Sequence, residues 1–366
     1  MHGYAAPDDA AFLLALPLVF AFQKGGGGVD ASTAHSENTV IQTAFVTGAT
    51  GFLGLNLIQL LAGQGWQVTA LHRPSSDLTY LKRFPVKLAV GEIEDAASLD
   101  RAMPEGLDAV FHVAGDVSFW SGHRARQFRT NVEGTQNMVA AARRKGVRRF
   151  VHTSTIAVYG TPSTFDEASA HLGKSSPIGY LRSKALAEEE VQKAVAEGLD
   201  AVILNPANIV GPYDLSNWSR LFRLVAEDRL QGIPPGRAPF CHVSEVAKAH
   251  LTAFERGRTG ENYILAGTEA SHVEAFTVVG RLLRHAVPKK PVSAFVLALT
   301  GRMGELSSHL THKEPDLTPE MAALLSCSIS CRSDKAAREL GYQAIPLQTM
   351  FEDCYRWMVA EGMIGK

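Results

Sequence analysis

The stretch VTGATGFLG (46–54) decides the fold, because its three glycines stand between a predicted strand and a predicted helix. The apolar run TAFVT before it fits a buried strand, and LNLIQLLAG after it fits a helix that ends in glycine. A glycine directly after the strand permits a tight turn, and the later glycines let backbone approach a pyrophosphate. The opening helix then offers free N–H groups to the phosphates. The stretch therefore predicts a dinucleotide-binding loop.

The same alternation of strand and helix continues along the chain. Helical segments such as 131–146 and 180–198 separate most of the further strand-length apolar runs, which are WQVTALHR, VKLAVGEI, DAVFHVAG, RRFVHTST and DAVILNPA. The pattern predicts an α/β fold, a Rossmann-type doubly wound parallel sheet with a smaller, mostly helical C-terminal substrate lobe. Ligands of such sheets bind beyond the carboxyl ends of the strands.

We divide the chain into three parts. Residues 1–40 are expected to be a flexible or non-native N-terminal extension, 41–205 the dinucleotide-binding domain, and 206–366 the substrate-binding lobe. Within that lobe, 240–267 is predicted to return to the main sheet. The apolar stretch 11–22 contains a proline and is too short to span a bilayer. No integral membrane span is predicted, and peripheral contact with a membrane stays open.

Composition excludes several classes of partner. The chain has 36 basic and 37 acidic residues, so net charge gives no reason to expect nucleic acid as a partner. Its four cysteines are few and irregularly spaced, which fits neither a disulfide framework nor a zinc site. We therefore predict a protein of a reducing compartment, the cytoplasm, without a metal ion.

The end of the second predicted strand bears on cofactor choice. An NAD-selective site usually places an acidic residue there to bind the ribose hydroxyls. Here the strand ends in His72 and Arg73, and Asp77 comes only after Pro74 has turned the chain. The Arg73 guanidinium suits a 2′-phosphate by charge and by its fork geometry. The prediction is NADP(H), with NAD(H) as the alternative.

The segment YLRSK (180–184) places a tyrosine and a lysine on one face of a helix. A free phenol has a pKa of about 10 and is a poor proton relay at neutral pH. A neighbouring ammonium stabilises the phenolate and lowers that pKa. Tyr180 could then give a proton to a carbonyl oxygen, with Lys184 one turn further along.

These motifs together resemble the extended and atypical short-chain dehydrogenase/reductases. The resemblance extends from about residue 42 to the end of the chain and rests on several segments in order. They are TGATGFLG, HVAG (112–115), NVEGT (131–135), HTSTIAVYG (152–160), YLRSK and FCHVSEVAKAH (240–250). Within that superfamily, LNPANIVGP (204–212), RPSSD and the closing SDKAARELGYQAIPL are similar to the dihydroflavonol-reductase-like and 3β-hydroxysteroid-dehydrogenase-like branch. Three positions depart from the usual pattern: Gly115, Glu92 and Glu245.

The resemblance implies roles for particular residues. It makes Thr155, Tyr180, Lys184 and Asn131 the catalytic set, with Ser154 as a rival to Thr155 and plain helix capping as an alternative for Asn131. The resemblance places the Ser or Thr five residues before the glycine of VYG, at Thr155, and alternation along a strand then sends the neighbouring Ser154 to the opposite face. The expected cofactor-binding residues are Gly48, Thr50, Gly51, Phe52, Leu53, Gly54, His72, Arg73, Glu92, Ile93, Val113, Ala114, Gly115, Tyr180, Lys184, Pro206, Ala207 and Ile209.

The substrate is indicated less directly. Phe119 and Trp120 could form an apolar wall, and structural packing explains them almost as well. The apolar segment 291–306 fits a buried helix, a cap over an apolar pocket or a membrane-docking surface. We expect a small, hydrophobic carbonyl compound or alcohol. The expected substrate-site residues are Asp116, Phe119, Trp120, Thr155, Tyr159 and Asn208.

Three functions remain open at this stage. The first is an NADP(H)-dependent carbonyl reductase or alcohol dehydrogenase, which consumes cofactor stoichiometrically. The second is a nucleotide-sugar epimerase or dehydratase that holds NAD tightly and consumes none. The third, a dinucleotide sensor without catalysis, is disfavoured because Thr155, Tyr180 and Lys184 are all retained. The resemblance also implies a homodimer formed through the helices that carry Asn131 and Tyr180.

Overall fold

Seven parallel strands form the central sheet of the computed structural model, which describes residues 41–311 and 313–365. Their order across the sheet is β3-β2-β1-β4-β5-β7-β10. They are β1 (Thr43–Thr47), β2 (Gln67–His72), β3 (Lys87–Val90), β4 (Ala109–His112), β5 (Arg149–Thr153), β7 (Ala201–Pro206) and β10 (Asn262–Leu265). The predicted doubly wound parallel sheet is confirmed. The predicted extension, residues 1–40, lies outside the described residues.

Smaller strands and the helices complete the chain. The short strands are β6 (Thr164–Phe165), β8 (Asn208–Val210), β9 (Arg237–His242), β11 (Thr268–Ser271) and β12 (Ser330–Cys331). The helices are α1 (Phe52–Gly63), α2 (Ala96–Ala102), α3 (Arg124–Phe128), α4 (Gly134–Arg144), α5 (Gly179–Ala196), α6 (Ser219–Ala226), α7 (Val243–Arg256), α8 (His272–Leu283), α9 (Ala294–Thr311), α10 (Pro319–Leu325), α11 (Asp334–Leu340) and α12 (Leu347–Ala360).

The main sheet is covered on both faces because its strands are apolar on both sides. In β1, Val46 packs in the cluster that contains α1 and α7 side chains, whereas Phe45 packs in the cluster of α4 and α5. This alternation follows from the two-residue period of a strand. Strands buried on both faces are typical of parallel sheets flanked by helices.

The later part of the chain builds a second sheet with the order β11-β9-β8. Residues of α6, α8 and α12 share a buried cluster with Val210 and Phe240 of this sheet. Within 240–267 only β10 pairs with the main sheet, next to β7, because β9 belongs to the small sheet. The division at residue 205 into a cofactor domain and a substrate lobe stays a prediction.

The described residues meet the requirements of neither a membrane-spanning helix nor a metal site. None of their helices is both long and apolar enough to cross a membrane. Nor do His, Cys, Asp and Glu side chains within 41–311 and 313–365 form a group able to hold a metal ion. The predicted compartment and the predicted homodimer remain predictions.

Candidate active site

The glycine loop between β1 and α1 leaves no room for side chains at two of its positions. Gly48 has φ of +66°, and a Cβ atom there would lie 2.8 Å from the backbone N of Ala114. A Cβ atom at Gly54 would lie 2.1 Å from the Gly48 carbonyl oxygen. The loop is therefore pressed against the end of β4, and the first turn of α1 is pressed against the loop.

The N-terminus of α1 is open to a ligand. Its N-cap residue is Gly51, which is exposed and has no side chain to satisfy the first N–H groups of the helix. Thr50 and Phe52 are half-buried beside it, whereas the Leu53 side chain packs into the core. Backbone N–H groups at this helix end suit a pyrophosphate, so the loop fits a dinucleotide. Leu53 can contribute through its backbone.

A free cation stands at the end of β2. Arg73 is exposed and forms no ion pair with the residues the structure describes, while its backbone closes a turn with Ser76. Asp77 is engaged locally, because its carboxylate accepts hydrogen bonds from the Thr79 backbone N–H at 2.9 Å and hydroxyl at 2.6 Å. These hydrogen bonds lower the pKa of Asp77. His72 lies beside Arg73, with Nδ1 3.0 Å from its carbonyl oxygen.

The residues expected at the adenine end follow β3. The Glu92 side chain is exposed, and its backbone N–H donates to the Ser98 hydroxyl at 2.9 Å. Ile93 is buried against α4, where a Cβ atom at Gly134 would lie 2.8 Å from its Cδ1. Its carbonyl oxygen accepts a hydrogen bond from Asn137 Nδ2 at 3.0 Å. These contacts hold the backbone between β3 and α2 at the carboxyl edge of the sheet.

Asn131 connects the loop after β4 to the helix α5. It lies in a π-helical turn, Arg129–Glu133, directly before α4. Its amide Oδ1 accepts from the Asp116 backbone N–H at 2.7 Å, and its Nδ2 donates to the Asp116 carbonyl oxygen and to Ser183 Oγ, both at 3.0 Å. Single π-turns inside helices are frequent at functional sites. Sequence reasoning missed Ser183, whose only signal was its place between Tyr180 and Lys184.

Tyr180 lies beside a hydroxyl group of the loop after β5. The Thr155 hydroxyl lies beside the phenol; burial raises the pKa of Tyr180, and the neighbouring Thr155 hydroxyl acts in the opposite direction. Ser154 points elsewhere, since its hydroxyl donates to Glu188 Oε2 at 2.5 Å. Thr155 is therefore the hydroxyl next to Tyr180, as strand alternation predicts for neighbouring side chains.

Lys184 is held one helical turn from Tyr180. Its side chain is buried, and Nζ donates a hydrogen bond to the Thr153 carbonyl oxygen at 2.8 Å. Burial lowers the pKa of Lys184 to about 8, while the Glu188 carboxylate raises it. A Cβ atom at Gly115 would lie 4.0 Å from Nζ and 3.4 Å from Asn131 Oδ1. Gly115 thus borders the space between the two polar groups.

Glu188 is a buried carboxylate that sequence reasoning missed. It continues the helical face of Tyr180 and Lys184 and accepts hydrogen bonds from Ser154, Asn205 and Asn262. Its side chain is only 1% exposed. The three-residue run EEE (188–190) resembles a solvated helix surface, which hides the buried member. The i, i+4, i+8 spacing from Tyr180 was the available signal.

The structure gives the expected substrate residues different contacts, and Phe119 is the one that borders Tyr180. The Phe119 ring lies 5.2 Å from the Tyr180 ring, edge to face, so it does border the phenol. Trp120 Nε1 donates to Ser308 Oγ of α9 at 3.2 Å. Asp116 pairs with Arg126 Nε at 2.6 Å, and Asn208 Nδ2 donates to the Pro239 carbonyl oxygen at 3.1 Å.

Tyr159 is placed differently from the expectation. It is fully buried, stacked on Phe165 at 4.9 Å, in a core cluster that includes Ile264. The reason is that Ile156–Tyr159 is a short 3₁₀ helix, which ends the strand alternation and turns Tyr159 inward. We therefore leave Tyr159 out of the proposed substrate site.

The loop after β7 borders the same edge of the sheet. Pro206 ends β7, and the Ala207 backbone N–H donates to the Leu265 carbonyl oxygen at 3.1 Å. Ala207, Ile209 and Val113 are partly buried and pack against the core cluster of α1 and α7, whereas Ala114 packs against that of α4 and α5. The Thr47 hydroxyl lies 3.2 Å from the Val113 backbone nitrogen and 3.1 Å from that of Ala114.

A large cavity lies apart from Tyr180 in the C-terminal part of the chain. Its volume is about 1050 Å³, and residues of α6, α8, α9 and α10 line it. Neither Tyr180 nor Thr155 is among the lining residues. One buried polar atom borders it without a hydrogen-bond partner in the described structure, His272 Nδ1.

Several characterised proteins are similar to this chain. It is 31% identical over 328 residues to the sterol demethylase protein B of Methylococcus capsulatus, covering 88% of this chain and all of the relative. It is 32% identical over 310 residues to a 4-hydroxy-2-methyl-3-oxo-4-farnesyl-3,4-dihydroquinoline-1-oxide ketoreductase of Stigmatella aurantiaca, covering 81% and 91%. A dihydroflavonol 4-reductase-like protein of Synechocystis is 30% identical over 332 residues, covering 87% and 95%. The predicted resemblance to that branch is confirmed.

Structure and family comparisons agree with these relatives. The crystal structure of gox2253 superposes with a TM-score of 0.75 at 30% identity, covering 88% of this chain and all of that one. The model of the NAD dependent epimerase/dehydratase family matches residues 44–266, which contain the glycine loop, Thr155, Tyr180 and Lys184. The predicted fold and superfamily are thus confirmed, and the chain belongs to the NAD dependent epimerase/dehydratase family.

Proposed function

We propose that the protein is an NADP(H)-dependent oxidoreductase that interconverts a carbonyl and an alcohol on a small hydrophobic substrate. The observation that carries the proposal is the grouping of the Thr155 hydroxyl, the Tyr180 phenol and the Lys184 ammonium. A hydroxyl, a proton donor and a cation in this arrangement suit proton transfer to a carbonyl oxygen. Membership of the family supports NAD(P)-dependent oxidoreductase or epimerase chemistry. The preference for NADP(H) and the hydrophobic carbonyl substrate are what this proposal adds.

In reduction, the bound dinucleotide supplies a hydride to the carbonyl carbon. Thr155 donates a hydrogen bond that orients the carbonyl oxygen, and Tyr180 transfers its phenolic proton to that oxygen as the alcohol forms. Because burial raises the pKa of Tyr180, the phenol is protonated and ready to donate at neutral pH. The oxidation runs in reverse, with the phenolate taking the proton back.

Lys184 supports both directions of the reaction. Because its pKa is about 8, the Lys184 side chain is protonated in most molecules at pH 7. One of its N–H groups donates to the Thr153 carbonyl oxygen, which leaves the others to bind the nicotinamide ribose. Its positive charge stabilises the phenolate. Asn131 acts as a positioning residue, because it ties the Asp116 backbone to the helix that carries Tyr180.

The preference for NADP(H) rests on charge at the end of β2. Arg73 is exposed and has no acidic partner among the described residues, so its guanidinium is available to a 2′-phosphate. The acid that could have bound ribose hydroxyls, Asp77, already caps the turn at Thr79. Both observations support NADP(H) over NAD(H).

A hydrophobic substrate is supported by the surroundings of Tyr180 and by relatives. Phe119 presents its ring to the phenol. Two relatives are named for a sterol and for a farnesyl-bearing ketone, which are apolar molecules. The nucleotide-sugar alternative is kept because the family name includes epimerases and dehydratases.

Two titrations of cofactor-stripped protein test the proposal, one with NADPH and one with NADH, each followed by fluorescence. Tighter binding of NADPH, with net cofactor oxidation in the presence of an apolar ketone, is the expected result. Tightly retained NAD with no net consumption would contradict the proposal and favour the epimerase alternative.

A further inference from the structure

The helix α9 exposes an apolar stripe along one face. Its members recur at steps of three and four residues, so they line one side of the helix. They are Phe295, Leu299, Met303, Leu306 and Leu310, with exposed fractions from 50% to 86%. Of thirteen exposed large apolar side chains in the described residues, these five and Val296 lie on this one helix. A concentration of this kind marks an interaction surface, and it departs from the buried helix expected at this length.

The opposite side of α9 is fixed by small residues. A Cβ atom at Gly301 would lie 2.9 Å from the Thr318 carbonyl oxygen, and one at Gly304 would lie 2.7 Å from the Leu317 carbonyl oxygen. Ser308 is buried on the same side and accepts the Trp120 hydrogen bond. Because this close packing uses the small face, the helix cannot turn its apolar stripe inward without losing those contacts.

Five cations, here called the basic cluster, lie on α9 and in the chain that leads into it. Four exposed cations lie on α8 and on the segment leading into α9, and a fifth lies on α9 itself; they are Arg281, Arg284, Lys289, Lys290 and Arg302. None of them forms an ion pair within residues 41–311 and 313–365. Three acids on α9 and directly after it have other partners: Glu305 bonds to Ser121, Glu314 to Ser118 and Asp316 to Arg220.

We propose that α9 and this basic cluster dock the protein on an anionic membrane surface, with the helix lying in the plane of the interface. Apolar side chains on one face and cations beside them are the combination that binds the boundary of headgroups and acyl chains. Lys and Arg near an anionic leaflet add attraction that salt weakens. A second copy of the chain could cover the apolar stripe, but it does not by itself account for the cations beside the stripe.

Docking through α9 has a consequence for the active site, and this step rests on the proposed function. The inner side of α9 contacts Trp120, whose neighbour Phe119 touches the Tyr180 ring. Val296 and Met303, which are exposed on α9, also line the large cavity. The docked face therefore places an apolar cavity and the loop beside Tyr180 next to the lipid. A lipid-soluble substrate could reach the protein from the membrane.

Co-sedimentation of the full chain with vesicles tests the docking itself. The vesicles are phosphatidylcholine with and without phosphatidylglycerol. The first variant combines Phe295→Ser, Leu299→Ser and Leu306→Ser, none of which lines the cavity. The second combines Lys289→Gln and Lys290→Gln. A matched control replaces three exposed apolar residues elsewhere, Ile41→Ser, Leu172→Ser and Leu215→Ser. Circular dichroism and the thermal midpoint report that each variant is folded.

We expect the wild type and the control to bind vesicles that contain phosphatidylglycerol, and to bind pure phosphatidylcholine more weakly. The apolar variant should lose at least roughly tenfold in partitioning, since each buried methylene contributes about 0.8 kcal/mol. The lysine variant should lose roughly tenfold and show a weaker dependence on salt, because each cation near the surface contributes about 1 kcal/mol.

Three results would overturn the proposal. The first is wild-type protein that stays in the supernatant with both types of vesicle. The second is an apolar variant that binds like the wild type, which is the result expected if the stretch 11–22 binds the membrane. Light scattering could also show that the apolar variant turns a dimer into a monomer with vesicle binding unchanged, which would assign the stripe to a second copy of the chain.

Discussion

In the proposed mechanism the Tyr180 hydroxyl gives and takes the proton at the substrate oxygen. Tyr180→Phe removes that oxygen and keeps the ring that packs on Phe119. We expect kcat to fall by roughly 10²–10⁴-fold, the usual contribution of a general acid. The Kd for NADPH should stay within about twofold, because the substitution preserves the shape of the side chain. Unchanged turnover would remove Tyr180 from the mechanism and revive a sensor function.

Lys184 makes stability depend on pH in a definite direction. Its pKa is about 8 in the folded protein, against an ordinary value of 10.5. Between these values the unfolded chain binds more protons than the folded one, so the free energy of unfolding rises with pH. Below pH 8 the cost of burying the ammonium is fully present.

Urea unfolding of the wild type and of Lys184→Met, from about pH 7 to about pH 10, measures this dependence. The stability of the wild type relative to the variant should increase as the pH rises. Lys193→Met is the control, since Lys193 is exposed on the same helix and its pKa is raised by its hydrogen bond to Glu190. If the two variants follow the same pH dependence, Lys184 is not titrating as a buried group.

Arg73 decides the cofactor preference in the proposed function. Arg73→Gln removes the charge and keeps a side chain of similar reach. A hydrogen bond to a charged group contributes about 1.5–3 kcal/mol, so the Kd for NADPH should rise roughly tenfold to a hundredfold. The Kd for NADH, which lacks the 2′-phosphate, should hardly change. Equal weakening of both cofactors would instead indicate a general effect on the loop after β2.

Single residues of the site were predictable where a local period governs them. Thr155 was chosen over Ser154 from its position in the motif and from the alternation of extended backbone, and the structure sends the Ser154 hydroxyl to Glu188. The same rule failed for Tyr159, because the strand ends at Thr153 and a 3₁₀ turn follows. Glu188 was missed since burial of one acid in a run of three depends on contacts with Asn205 and Asn262, which are remote in sequence.

The glycine loop and α1 form an element whose geometry tolerates no Cβ atom at Gly54. Gly54→Ala would place a methyl group 2.1 Å from the Gly48 carbonyl oxygen, so the helix must move away from the loop. We expect NADPH binding to weaken by at least roughly tenfold and the thermal midpoint to fall by several degrees.

Gly63→Ala is the matched control in the same helix. Among the described residues, no atom outside its chain neighbours and its own helix backbone lies within 4 Å of a Cβ atom built at Gly63, and alanine favours helix more than glycine does. This variant should keep its NADPH affinity and keep or raise its thermal midpoint. Calorimetry and fluorescence titration of both variants separate the steric effect from a general loss of flexibility. A Gly54→Ala protein that binds NADPH normally would contradict the close packing.

At the scale of elements, the strands were easier to predict than the later helices. Strands of the main sheet are buried on both faces, so their apolar runs stand out and their order follows from strand–helix alternation. The orientation of α9 could not be predicted, because 291–306 is apolar on several sides. Which side packs inward is decided by Gly301 and Gly304 against the chain at 317–318, a contact that no local pattern contains.

At the scale of the whole molecule, the parallel sheet is what brings the site together. The ends of β1, β4, β5 and β7 all lie at one edge, so residues 48, 114, 155 and 206 meet although they are far apart in sequence. The helix α5 then returns Tyr180 and Lys184 to that edge. Motif order and sheet topology therefore predict which residues reach this edge, and their binding of a cofactor stays a prediction. The substrate side depends on α9 and on the loop at 116–128, whose contacts are set by tertiary packing.

The whole molecule should behave as a net reductase whose efficiency depends on the apolar part of its substrate. With a series of methyl ketones of increasing alkyl length, kcat/KM should rise roughly fourfold per added methylene until the pocket is filled, since burying one methylene contributes about 0.8 kcal/mol. One NADPH should be oxidised for each alcohol formed, as measured by absorbance and product analysis.

Phe119→Ala should flatten the dependence on chain length, because its ring borders Tyr180. A matched substitution at exposed Phe128 should leave the series unchanged. A flat series in the wild type, together with turnover of a nucleotide sugar without net NADPH oxidation, would replace the reductase by the epimerase.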